Sequence, residues 1–142
     1  MILEADLLFG RDSIYIMRHF KSKWFNWWAK KNKLHDDDLY NAINNLIENK
    51  STVKLGKYLY KVRVAQKKRG KSKSYRTIVI FITKVRSIFA YGFSKNERSN
   101  ISKTELLDYK ELAITYSKLT NKDIQTLLKR ELFFEIEVQH GK

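Results

Sequence analysis

Residues 57–98 read KYLYKVRVAQKKRGKSKSYRTIVIFITKVRSIFAYGFSKNER. From Tyr58 to Ala65 the side chains alternate with period two, so Tyr60, Val62 and Val64 share one face and Leu59, Lys61 and Arg63 the other. A charged loop, Gln66 to Ser74, turns around Gly70. Tyr75 to Thr83 is apolar at successive positions, the pattern of a strand covered on both sides and therefore central in its sheet. Lys84-Val85-Arg86 turns into a third strand, Ser87 to Phe93. Three consecutive strands with short connections predict an antiparallel meander.

On either side the period is helical. Ile14 to Phe20 can form a short strand, and Ser22 then offers an N-cap to a helix with Trp24, Phe25, Trp28 and Ala29 on its core face. A second helix opens on Asp36-Asp37-Asp38, carboxylates placed to complement the helix dipole, and presents Leu39, Ile43, Leu46 and Ile47. Ser102-Lys103-Thr104-Glu105 has capping-box form and starts a helix to about Leu119; Thr120 to Asp123 repeats the signal for a helix to about Arg130. Leu132 to Val138 closes as a strand. The expected fold is α+β, a small antiparallel-rich sheet with its helices packed on one face.

With 142 residues, 43% hydrophobic residues and nineteen aromatics, the chain can bury a core. Residues 17–142 read as a single domain, and 1–16 as an N-terminal extension, which either lengthens the first strand or stems from a start codon upstream of Met17. The absence of cysteine excludes a disulfide framework and thiolate metal sites. Acidic Glu4 and Asp6 stand where a secretory signal needs positive charge, and no apolar run is long enough for a membrane span, so a cytoplasmic location is expected.

The formal net charge is +14, from 29 basic and 15 acidic residues. Residues 1–49 and 99–142 each balance seven of either sign, whereas 50–98 hold fifteen Lys and Arg against Glu97 alone. A charge concentrated in this way, on a β-rich segment, points to a polyanionic partner. Gly70-Lys71-Ser72 is not a nucleotide-binding loop: position 65 is alanine where that motif needs glycine, and a strand follows where it needs a helix. His19, His35 and His140 show no metal-ligand spacing, and the Asp36–Asp38 triplet serves a helix start. No metal and no cofactor is expected.

What remains is a cationic sheet face. Lys61 and Arg63 project to one side of a strand, Arg76 opens its neighbour, and Lys95 and Arg98 follow the next. Lys67, Lys68, Arg69, Lys71 and Lys73 rim this face as candidate RNA-binding residues, with Tyr75 and Tyr91 interleaved. Arg clamps phosphate with two donors, Lys acts as a point charge, and Tyr stacks on an unpaired base.

Three ordered blocks in this region resemble the RelE-like toxins of type II toxin–antitoxin systems, within the RelE/ParE superfamily. They are Lys61-Val62-Arg63-Val64-Ala65, then Gly70-Lys71-Ser72 with Tyr75-Arg76-Thr77, then Tyr91 through Arg98. The resemblance implies a microbial-ribonuclease-like fold and a toxin that cleaves mRNA, often on the ribosome, and is countered by a cognate antitoxin. It places functional positive charge at Lys61, Arg63, Arg76 and Lys95. Lys73-Ser74 stands where relatives often carry Gly-Gly. Ile101-Ser102 stands where some cousins carry tyrosine, leaving a phenolic role to Tyr91 or Tyr75.

The chemistry so implied is attack of a ribose 2′-hydroxyl on the adjacent phosphate with departure of the 5′-oxygen. Arg63 and Arg76 would hold the phosphorane oxygens. Lys61 is the candidate general base, and Lys95 or a tyrosine the proton donor to the leaving group. Two other readings share the charge map: a non-catalytic nucleic-acid-binding module, and a ParE-like inhibitor of DNA gyrase.

Overall fold

The computed structural model describes residues 17–66 and 73–137. The expectations for residues 1–16, for most of the charged loop and for Val138 lie outside them. Chain order is β1 (Arg18–Ser22), α1 (Lys23–Lys31), α2 (Asp36–Ile47), β2 (Thr52–Gly56), β3 (Leu59–Gln66), β4 (Lys73–Ile82), β5 (Arg86–Phe93), α3 (Lys103–Ser117), α4 (Asn121–Lys129) and β6 (Phe133–Glu135). The strands form one sheet in the order β2-β3-β4-β5-β1-β6. All neighbours are antiparallel except β1 and β5, which run parallel.

Helix starts follow their caps. Ser22 Oγ accepts from Phe25 N at 3.1 Å, Ser102 Oγ from Glu105 N at 3.1 Å, and Thr120 Oγ1 from Asp123 N at 3.1 Å. The aspartate triplet is structural: Asp38 accepts from the His35 backbone N–H at 3.0 Å, and Asp36 pairs with Lys21 at 2.7 Å, tying α2 to β1.

The α+β class holds, with a correction to the layering. Helices cover both faces of the sheet, not one. Phe25, Trp28 and Ala29 of α1 and Leu39, Ile43 and Leu46 of α2 bury Val62, Val64, Val79, Phe81 and Phe89. Ala113 of α3 and Ile124 of α4 join Leu59, Ile78, Ile80, Ile82 and Ile88 on the opposite side. The reason lies in β4, whose odd residues feed one cluster and even residues the other; a strand apolar on both sides requires two layers of cover.

Two further differences concern weak patterns. The edge strand β2 is not foreseen, because Thr52 to Gly56 fully buries no residue and alternates poorly. The closing strand is shorter than expected, covering Phe133–Glu135, although Ile136 N still donates to His19 O at 2.8 Å.

Candidate nucleic-acid interface

On the α3/α4 side of the sheet, cross-strand register sorts the side chains of β3, β4 and β5 into rows. Leu59, Ile80 and Ile88 form an apolar row beneath the helices; Lys61, Ile78 and Tyr91 form the next; Arg63, Arg76 and Phe93 form the third. Apolar cover thus gives way to cations along one face. Arg63 N donates to Ser51 O at 3.0 Å, away from β4. Arg63 and Arg76 are therefore a non-hydrogen-bonded pair, the closer of the two antiparallel spacings, with Cα atoms about 4.5 Å apart. Like charges directly opposite are destabilising. Among the described residues no carboxylate pairs with Lys61, Arg63 or Arg76. Two arginines at directly opposed positions beside a lysine, with no carboxylate partner among the described residues, are suited to receive an anion.

A β-bulge decides what else faces this row. Ile78 pairs with Tyr91 while Val79 pairs with Phe89, so Ala90 is the extra residue. Phe89 belongs to the α1/α2 cluster, and the bulge resets the alternation so that Tyr91 and Phe93 point to the Arg63–Arg76 side. Ser22 Oγ donates to the Ala90 carbonyl at 3.3 Å.

Arg98 is bound within the chain. It donates to Glu105 through both terminal nitrogens, at 3.1 and 2.5 Å, to Tyr91 Oη at 3.2 Å and to Asn100 O at 2.9 Å. Its guanidinium also lies 5.9 Å from the Tyr91 ring centre and 5.8 Å from that of Phe93. Arg98 bonding, then the Ser102 backbone N–H, holds the Glu105 carboxyl down at about 2, and Glu105 raises the basicity of Arg98. Burial, reinforced by Tyr91, pushes the Tyr109 phenol up to about 12. Arg98 thus braces Tyr91 and joins the end of β5 to α3.

The family model described as RelE toxin of RelE / RelB toxin-antitoxin system matches residues 17–136. The chain belongs to the RelE toxin family. It is a RelE-like toxin of a toxin–antitoxin system, with a cognate antitoxin as partner. No curated protein and no solved structure matches it.

Other residues singled out in this RelE-family chain lie elsewhere. Lys95 falls in the turn after β5 and, with Asn32, Lys73, Ser74, Tyr75, Ser94 and Asn96, lines a recess of about 300 Å³. Tyr75 is 6% exposed, on the α1/α2 side, its ring edge-on to Trp28 at 5.4 Å; it is a core residue at the recess wall. Lys67, Lys68, Arg69 and Lys71 are outside the described residues. His19 is buried, with Nδ1 2.8 Å from Ser87 Oγ. Among the described residues no cluster of His, Asp or Glu could hold a metal ion, and no helix is long and apolar enough to cross a membrane.

Sequence reasoning missed two features of the site. Glu105 was read only as a cap residue, whereas it also binds Arg98. Trp24 was assigned to the core and Trp27 was not considered; they are 39% and 55% exposed. The spacing of Trp27 outside the Phe25–Trp28–Ala29 stripe was the available signal.

Proposed function

We propose that this toxin is an endoribonuclease that cuts mRNA, with translating ribosomes as its site of action. The Arg63–Arg76 pair on opposed strand positions beside Lys61, without a carboxylate partner among the described residues, carries this reading. Family membership supports it. The two guanidinium groups hold the non-bridging oxygens of the scissile phosphate, whose charge grows in the phosphorane. Lys61, two residues from Arg63 on the same face, takes the 2′-hydroxyl proton. The O2′–P bond forms and the P–O5′ bond breaks, leaving a 2′,3′-cyclic phosphate and a 5′-hydroxyl.

The leaving oxygen needs a proton. Tyr91 accepts a hydrogen bond from Arg98 on its phenol oxygen, which keeps its own proton available to donate. Lys95, at the recess beyond Phe93, contacts a neighbouring phosphate, and Lys73, which lines the same recess, extends the track. The antitoxin counters the toxin by presenting acidic residues to this face.

The test is incubation of the protein with translating ribosomes, followed by mapping of mRNA 5′ ends. The wild type should create new 5′-hydroxyl ends, and Arg76→Ala should reduce them at least about a hundredfold, as loss of one preorganised oxyanion donor does. Equal cutting by a folded Arg76→Ala protein overturns the site. Binding of RNA without cutting assigns the protein to a non-catalytic class, and inhibition of gyrase supercoiling without mRNA cleavage to the ParE branch.

A further inference from the structure

Helix α1 exposes two tryptophans that the core does not need. Phe25, Trp28 and Ala29 supply its buried face, whereas Trp24 is 39% and Trp27 55% exposed. Their rings are not isolated. Trp27 lies 6.0 Å from Trp24, Trp24 stacks on Tyr91 at 4.6 Å with 28° between planes, and Tyr91 lies 6.0 Å from Tyr109. Tyr91 shares a row with Lys61, two strand spacings or about 10 Å away. The aromatic file therefore begins inside the cationic face and continues outward along α1.

The charges of α1 have one sign, whereas Glu105 and Asp108 stand by Tyr109 at the other end of the file. Lys31 Nζ sits 5.2 Å from the centre of the Trp27 ring, Lys23 and Lys30 are exposed on the same helix, and α1 contains no carboxylate. Exposed aromatic rings on a helix whose only charges are cations match a polymer with an anionic backbone and flat bases.

We infer that Trp24 and Trp27 are a stacking platform for unpaired bases flanking the scissile phosphate. The RNA strand crosses from the Arg63–Arg76 clamp past Tyr91 onto α1. This inference rests on the ribonuclease reading and adds where the substrate extends and how it is held. Stacking tolerates any base, so the platform contributes affinity rather than sequence preference.

Trp27 is the informative position, since Trp24 also supports Tyr91. A fluorescent 2′-O-methyl oligouridine of twelve nucleotides, which lacks the attacking hydroxyl and stays intact, serves as probe. Its binding is measured by anisotropy over a range of salt concentrations for wild type, Trp27→Ala and Trp27→Phe, with unfolding curves as control. Trp27→Ala should weaken binding about tenfold at every salt concentration, leaving the log–log salt slope as in the wild type, because a lost stack releases no counterions. Trp27→Phe should recover most of the loss. Wild-type affinity in Trp27→Ala overturns the platform while leaving the ribonuclease reading intact. A lower slope in that variant also overturns it, by showing that Trp27 acts through Lys31. Weakened association with the antitoxin and unchanged RNA binding would give the surface to a protein partner instead. Failure of the wild type to bind the probe tells against the ribonuclease reading itself.

Discussion

Gly92 is where the six-membered ring of Trp28 presses on the backbone of β5: a Cβ built there would stand 2.3 Å from Cζ3. Trp28 cannot yield easily, being 5% exposed and held by Phe25 at 5.3 Å and Tyr75 at 5.4 Å. Gly92→Ala should cost about 2 kcal/mol, read as a lower denaturant midpoint, since overpacking a filled core typically costs 1–3 kcal/mol. The change also falls next to Tyr91, so cleavage should drop more than stability alone accounts for. Single residues differ in how plainly they announce their role. Ser22, Ser102 and Thr120 were legible as caps because capping depends on spacing of three along the chain. The contact of Trp28 with Gly92 joins residues far apart, and no local pattern encodes it.

The junction between β5 and α3 is held by the bond from Arg98 to Glu105. Because the carboxyl of Glu105 is depressed to about 2, its contribution to stability is present above the ordinary carboxylate range and is lost as pH falls through about 2. Glu105→Gln should therefore lower the Tm modestly at neutral pH, with the gap to wild type closing as the pH approaches 2. Both partners are about a third exposed, so high salt should narrow the same gap. At neutral pH the substitution should also lower the rate of the proposed mRNA cleavage, since Tyr91 loses its brace. Helices α1 and α2 and the three central strands could be read from periodicity, and α3 and α4 from their capping signals. The edge strand β2 and the parallel pairing of β1 with β5 could not, because the first buries little and the second depends on a distant segment.

Across the whole molecule, the neutral, positive, neutral division of charge proves to be only partly a map of the site. Arg86 belongs to the positive segment yet is 6% exposed. Its Nη1 lies 3.5 Å from the Tyr116 carbonyl near the C-terminal end of α3, where the helix dipole favours a cation. Arg98 is engaged with Glu105, which comes from the neutral flank. Contact with about six phosphates is expected of the cations that face outward. Binding to single-stranded RNA should then weaken with salt along a log–log slope near about −4. A nearly flat slope, measured by titration at several salt concentrations, would remove the electrostatic basis for the interface. Sequence revealed that the chain carries a cationic sheet. It could not reveal that Lys61, Arg63 and Arg76 meet in adjacent rows while Lys95 stands at a separate recess, since register is a property of pairing.

The Ala90 insertion has an evolutionary consequence. A copy of this gene missing that one codon would keep its net charge and every letter of the three toxin motifs, and Tyr91 would still stand opposite Ile78 and Phe93 opposite Arg76, because only the unpaired residue is gone. Aligned with its relatives, such a copy would show a gap inside a strand and still turn the same face outward. A gap at this point is therefore no mark of a harmless paralogue, whereas a change that flattens the bulge with Ala90 retained would turn Tyr91 toward the tryptophan-lined core.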